Sequence, residues 1–259
     1  MYQDIRYAVD DGVATVTIDR PDVKNALRET TLEELNDAIR RADDDDGTFA
    51  LVLTGADGAF CAGADVGSMP DWTDRSKEEY AAYLWTAQNV VRQLRSASMP
   101  TIAAVAGPAI GAGCDFALGC DLRIVGPDAI LREGFVNVGL IPGDGGAWLL
   151  PELIGESKAR EYLLTGRDIT ASDAMELGLA VETADDPLEA ADELADELLA
   201  QPARAVRLTK ALLDPSLSFE EYCERAIEYQ WQCVNDAEHE EAVTAFRERR
   251  APEYDRDYS

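Results

Sequence analysis

Lysine is nearly missing from this chain of 259 residues: only Lys24, Lys77, Lys158 and Lys210 occur, and arginine carries most of the positive charge. With 51 acidic against 23 basic residues, the formal charge is −28. Such a field repels a phosphate backbone, which excludes nucleic acid as a partner, and an RNA-binding role would need a basic surface that is not there. Histidine is scarcer still. The one residue, His239, lies in an acidic helical run that reads as surface. A lone histidine removes histidine-based triads and most zinc sites, so no metal centre is expected. The five cysteines (Cys61, Cys114, Cys120, Cys223 and Cys233) form no CxxC pair and are odd in number. They read as small buried residues in a reducing compartment. No apolar run approaches membrane-spanning length, and the N-terminus has no basic-plus-apolar signal. The expected setting is therefore the cytoplasm, away from membranes.

What is present suffices for a folded core. Hydrophobic residues make up 46% of the chain, so the acidity is not a mark of disorder. The carboxylates occur in nearly every segment rather than in one tail. That distribution fits a halophile-type surface, hydrated in concentrated salt, better than a patch for a cationic partner. Salt should then favour folding by screening self-repulsion.

Two short β-type runs, residues 5–9 and 13–18, flank Asp10-Asp11-Gly12, a hairpin signal. Thr31-Leu32-Glu33-Glu34 reads as a capping box opening a helix to about Arg41. Strands are predicted at 49–54, 101–105, 122–125 and 129–131, and helices at 76–94 and 114–119. Strand, loop and helix alternate through about residue 185, the pattern of an α/β layer structure. Beyond Pro187 the reading is helical throughout: 189–199, 203–213, 219–234 and 238–249, broken at Pro202 and at Asp214-Pro215. The expected division is a core over residues 1–190 and a helical region over 191–259 that packs on the core or on a neighbouring subunit.

Two small-residue segments follow β-branched runs. The first is Phe60-Cys61-Ala62-Gly63-Ala64-Asp65-Val66; the second is Gly107-Pro108-Ala109-Ile110-Gly111-Ala112-Gly113-Cys114-Asp115. Residues without bulky side chains let a ligand approach the main chain. Two backbone N–H groups converging on one oxygen make an oxyanion hole, and removal of one such donor typically costs about 3–4 kcal/mol. An acid just beyond the second donor would sit beside the carbon that this oxygen activates. Neither a phosphate-loop lysine nor a dinucleotide glycine spacing accompanies these segments.

In order and spacing the two segments resemble the oxyanion segments of the crotonase (enoyl-CoA hydratase/isomerase) superfamily. Arg20-Pro21 with Lys24-Asn25-Ala26-Leu27 is similar to that family's early CoA loop. Cys120-Asp121-Leu122-Arg123-Ile124, then Val138-Gly139-Leu140-Ile141-Pro142-Gly143-Asp144-Gly145-Gly146, resemble the strand and loop that follow. Leu164-Thr165-Gly166-Arg167, residues 174–178 and Phe246-Arg247-Glu248-Arg249-Arg250 resemble its later landmarks, so the likeness spans nearly the whole chain. It implies a crotonase-like spiral of ββα turns, a C-terminal helical trimerisation region, and an acyl-CoA thioester as ligand. Coenzyme A enters as part of the substrate, with no separate cofactor. By position, the oxyanion donors would be the N–H groups of Ala64 and Ala112. Ala64, Asp65, Val66 and Gly67 would line the CoA adenine and pantetheine region, with Lys24 near its phosphates. Arg249 stands where the family often has a lysine that reaches a neighbour's CoA, although an arginine closing a helix also suits the helix dipole. A homotrimer or a dimer of trimers is implied.

The hydratases of this family carry two glutamates about the bound water. The first position is Asp115 here, and the second falls on Phe135, which cannot transfer a proton. Asp144 and Glu133 are the possible replacements. Asp144 precedes two glycines and an apolar run, so it also reads as a helix N-cap. Glu133 would share a strand face with Phe135. Asp115 at a helix start could simply complement the dipole; in apolar surroundings its pKa would instead rise towards a useful range. The leading expectation is hydration of a 2-enoyl-CoA by Asp115 and Asp144. The alternatives are a Δ3,Δ2-enoyl-CoA isomerase, which needs a single base, and a non-catalytic acyl-CoA-binding scaffold.

Overall fold

A computed structural model describes residues 1–65, 67, 69–254 and 256, the side chains of 69–71 excepted. Strands β1 (Ile5–Asp10) and β2 (Val13–Ile18) form the expected antiparallel hairpin. Its two-residue turn holds Asp11 at φ 44° and Gly12 at φ 83°, the left-handed pair that matches the twist of a hairpin. Helix α1 runs Glu29–Asp43, one turn earlier than the sequence suggests. Thr31 is not its cap: the hydroxyl donates to the buried Asp4 carboxylate (2.6 Å). Glu34 meanwhile accepts the backbone N–H groups of Gln3 and Asp4. The capping-box pattern at 31–34 thus pins the N-terminal strand.

β3 (Ala50–Gly55), α2 (Lys77–Ser96) and β4 (Thr101–Val105) follow, with Ser76 and Glu79 closing a true capping box on α2. Next come β5 (Pro108–Ile110), α3 (Ala112–Gly119), β6 (Leu122–Val125) and β7 (Ile130–Arg132). The later elements are α4 (Gly146–Ile154), α5 (Glu156–Thr165), β8 (Ile169–Thr170), α6 (Ala171–Glu176) and β9 (Glu182–Thr183). The chain closes with α7 (Pro187–Leu199), α8 (Ala203–Leu212), α9 (Phe219–Val234) and α10 (Ala237–Glu248).

From β4 onward the chain passes back and forth between two sheets. The larger has the order β1-β2-β3-β4-β6-β9 and the smaller β5-β7-β8. Single parallel bridges, Leu27 to Ala64 and Cys61 to Ala109, extend the small sheet through the first small-residue segment. A strand in the large sheet, a strand in the small one and then a helix make up each ββα turn. Apolar continuity in β3 and β4 reflects burial on both faces. Leu51, Leu53, Ala103 and Val105 join the core under α1, α2 and α3, while Ala50, Val52, Ile102 and Ala104 meet Ala190, Ala191 and Ala195 of α7. The helix crossing residue 190 therefore packs on the sheet.

Helices α8 and α9 contribute no buried residue, and Phe219, Ile227, Trp231 and Phe246 are largely exposed. Cys61, Cys114 and Cys120 are buried as expected, whereas Cys223 and Cys233 are half-buried on α9. His239 is at the surface. No helix among the described residues is long and apolar enough to cross a membrane.

Candidate active site

The two small-residue segments lie side by side. Phe60 and Cys61 both donate to the Pro108 carbonyl (3.1 and 3.0 Å), and Ile110 donates back to Cys61 (2.9 Å). At Ala64 the parallel bridge to Leu27 uses the amides on either side: Leu27 N–H reaches the Gly63 carbonyl and Asp65 N–H reaches the Leu27 carbonyl. The N–H of Ala64 therefore points the other way, and among the described residues no turn or loop carbonyl accepts it. Ala112 opens α3, so its N–H is one of the amides a helix start leaves without an internal partner. Gly111 before it has φ 54° and makes no side-chain cap.

Both alanines line one cavity of about 350 Å³, with Leu27, Tyr83, Phe135 and Asp144 among the other walls. The lining is mostly apolar, and Asp144 is its one carboxylate among the described residues. Burial pushes the Asp144 carboxyl up to about 6, a value suited to exchanging protons near neutrality. Its charge in turn raises the neighbouring Tyr80 and Tyr83 phenols, whose own burial is the larger cause. Asp144 is not an N-cap: α4 begins at Gly146 after Gly145, with no side-chain cap.

Asp115 is wholly buried and is not part of the cavity wall. It lies behind, with Glu133, and no well-formed hydrogen bond satisfies either carboxyl; the two face each other, with the Cys114 thiol and the Gly146 backbone beside them. A β-carbon on Gly146 would sit 2.3 Å from Asp115 Oδ1 and 2.4 Å from Glu133 Oε2, so the two carboxyls converge on that bare Cα. Burial, then the Glu133 and Asp144 charges, push Asp115 well above the carboxylate range, and burial lifts Glu133 to about 7.

Glu133 and Phe135 do not share a strand face. β7 stops at Arg132, and Gly134–Val138 is a 3-10 turn that sends Glu133 inward and sets the Phe135 ring against the cavity. The signal for this break was Gly134 between them, a poor strand residue.

The expected CoA residues lie around the outer loop. Lys24 is exposed, at φ 53°, and its carbonyl accepts Ala62 N–H (3.0 Å). The Asp65 carboxylate accepts Gly67 N–H (3.0 Å) and faces Arg20 (3.6 Å). Val66 lies outside the described residues. Arg249 is the exposed, left-handed cap of α10 and is not part of the cavity wall. Sequence reasoning missed Asn25, fully buried, whose amide donates to the Ala56 and Ala59 carbonyls (2.8 and 2.7 Å) and whose oxygen accepts Arg20 N–H. It ties the early loop to the first small-residue segment. No cluster of candidate metal ligands occurs among the described residues.

Sheet alternation, paired small-residue segments and a cavity between them define an α/β protein of the crotonase fold, and the chain belongs to the enoyl-CoA hydratase/isomerase family, whose profile matches residues 8–257. Among its relatives, the probable enoyl-CoA hydratase EchA14 of Mycobacterium tuberculosis is 39% identical over 217 residues, covering 84% of each chain. The crotonyl-CoA hydratase of Syntrophomonas wolfei is 33% identical over 256 residues, covering 96% of each. The crystal structure of an enoyl-CoA hydratase from Bacillus anthracis superposes with a TM-score of 0.91 at 29% identity, covering 97% of this chain and 99% of that one.

Proposed function

We propose that this chain acts on an enoyl-CoA thioester through an enolate, with Asp144 as the proton-transfer group and the Ala64 and Ala112 amides holding the thioester oxygen. The observation that carries the reading is one mostly apolar cavity shared by both amide-bearing segments and a single carboxylate. The reaction such a site suits best is the shift of a 3-enoyl-CoA to the conjugated 2-enoyl-CoA. Ionised Asp144 takes a proton from C2, and the charge that develops on the oxygen is met by preorganised donors in a dry site. The same carboxyl returns the proton at C4. Phe135, in place of a second carboxylate, leaves nothing there to hold a water.

Hydration of a 2-enoyl-CoA is the second reading, favoured by relatives named as hydratases. Water would then add at C3 as Asp144 takes its proton, and the same carboxyl would return that proton to C2 of the enolate, with Asp115 supporting from behind. In either case Lys24 and the Asp65–Gly67 segment, with Val66, are assigned to the CoA moiety. Arg249 is assigned to a neighbour's CoA in a homotrimer or dimer of trimers. The exposed Phe219, Ile227, Trp231 and Phe246 support such an assembly, because large apolar side chains left in solvent are covered when helices of neighbouring subunits pack.

Incubation with 3-enoyl-CoA and, separately, with 2-enoyl-CoA separates the readings. Gain of conjugated absorbance from the first supports isomerisation, and loss of it from the second supports hydration. Binding of both thioesters with no change in either, in wild type and Asp144→Asn alike, would leave only the scaffold.

A further inference from the structure

Glu133 is the group that the proposed chemistry does not use. It is 1% exposed, and no well-formed hydrogen bond satisfies its carboxyl oxygens or those of Asp115; the groups within reach are each other, the Cys114 thiol and the Gly146 backbone. Buried acids normally persist because a cation or several N–H groups satisfy them. Here the adjacent Arg132 is turned to Asp168. Among the described residues neither buried carboxyl belongs to an ion pair. The titratable groups that reach the pair are Cys114 of α3, itself a buried thiol, and Asp144 from the loop ahead of α4. From α4 the Gly146 backbone meets the pair, and its missing side chain makes room for both carboxyls.

Two facing carboxylates are acceptors only and cannot satisfy one another. One proton changes that: the protonated carboxyl donates to its neighbour, and the pair carries one negative charge instead of two. We propose that Glu133 is a positioning residue of this site that acts through Asp115: the two share a proton over the Cα of Gly146, and the charge of the pair sets how much negative charge Asp144 and the thioester oxygen can carry in front of it. The proposal rests on the enolate reading given above for its catalytic consequence, but not for the existence of the pair. While the proton is retained, the ionised Asp144 base and the developing enolate face at most one buried anion. Once it is lost to solvent, they face two, and like charges in a dry interior oppose enolate formation. The device works by proton loss alone and needs no other reactant.

Two measurements test this. The first uses the protein without substrate: infrared difference spectra, comparing wild type with Glu133→Gln and Asp115→Asn between pH 5 and 9. The expected result is a protonated-carboxyl band that persists in wild type at pH 7, where exposed acids are ionised, and is lost or shifted in each variant. Absence of any such band at pH 7 overturns the shared proton. The second is the pH profile of kcat/KM on 3-enoyl-CoA. Wild type should show an alkaline decline, and Glu133→Gln should abolish it, because the variant pair can never carry more than one negative charge. The acid limb, set by Asp144, should remain. Glu133→Asp, which keeps an ionisable group, should restore the decline. A wild-type profile without an alkaline decline, or a decline that persists in Glu133→Gln, overturns the catalytic consequence. If no enoyl thioester turns over, the function reading has failed while the infrared result still decides the pair.

Discussion

A β-carbon on Gly63 would lie 2.6 Å from the carbonyl oxygen of Ile110. Gly63 also has φ 82°, a conformation that costs any L side chain. The two amide-bearing segments can touch only because this position is bare, and the added carbon would also come within 3.9 Å of the Ala112 nitrogen. Gly63→Ala should push the segments apart. The expected result is a loss of about 2 kcal/mol or more of stability in urea. Turnover should fall by roughly a hundredfold as the two donors lose their common target. Retained turnover on 3-enoyl-CoA in a folded variant would contradict the placement of the donors.

Asp144 links activity and stability with opposite signs. Burial lifts its carboxyl from 3.8 to about 6. Between those values the folded chain holds a proton that the unfolded chain has released, so stability falls as pH rises through the window, and the full cost is present above it. Asp144→Asn removes the titration. At pH 8 it should be more stable than wild type by about 2 kcal/mol, with the difference gone at pH 4, in parallel urea melts. Its turnover should drop by about 10²–10⁴. A variant less stable than wild type at pH 8 would show that the carboxylate is not desolvated.

How much of this was legible in the sequence depends on what each signal encodes. β4 (Thr101–Val105), β6 (Leu122–Val125) and α9 (Phe219–Val234) appear at the predicted bounds, because apolar runs and caps are local properties. The sheet switch was not legible: β5 is three residues, Pro108–Ile110, defined by its partners and not by its own pattern. Thr31 misled because its hydroxyl serves Asp4, a partner 27 residues away that no local motif announces. The same limit applies to the site. Adjacent small-residue segments could be read from spacing, but that Asp115 sits behind the cavity and Asp144 on its wall depends on where the 3-10 turn Gly134–Val138 deflects the chain.

Phe135 offers a gain-of-function test. Its ring atoms would lie 3.5 Å and beyond from a β-carbon on Gly111, next to the Ala112 amide. Phe135→Glu places a second carboxylate at the cavity wall beside Asp144's, where the described lining otherwise holds one. The variant should be less stable by about 1–3 kcal/mol, the usual cost of a polar group in a partly apolar site. Its ratio of 2-enoyl-CoA hydration to 3-enoyl-CoA isomerisation should rise tenfold or more, a gain within the range of one acid–base group. An unchanged ratio would mean that this wall does not face the double bond.

Asn25 tests the scaffold rather than the chemistry. Its side chain makes three hydrogen bonds in a fully buried setting, at a backbone φ of 59°. Asparagine tolerates that conformation better than most residues. Asn25→Ala leaves two carbonyls and one N–H unpaired, so a loss of about 2–4 kcal/mol is expected. Loosening of the Lys24 loop should raise KM for the CoA thioester more than it lowers kcat. A stability loss under 1 kcal/mol would mean that water replaces the amide without penalty.

Salt dependence separates repulsion from pairing. Added salt weakens both, but with opposite effects on stability. Exposed pairs such as Arg160 with Glu156 and Lys158 with Glu161 lose attraction, but pairs in open solvent contribute little to begin with. Against them stand 51 acidic residues and 23 basic ones, so most carboxylates have no cation to pair with and repel one another across the surface. Screening length falls from about 10 Å at 0.1 M to about 3 Å at 1 M. The net result should be a melting temperature that climbs over that interval in sodium chloride, most steeply at the low end where screening changes fastest. A continued climb above 1 M would come from salt strengthening apolar burial, and sulfate should then outperform chloride at equal ionic strength. A melting temperature that falls with salt would mean that the ion pairs outweigh the repulsion, and the excess of carboxylates would not be a load on the fold.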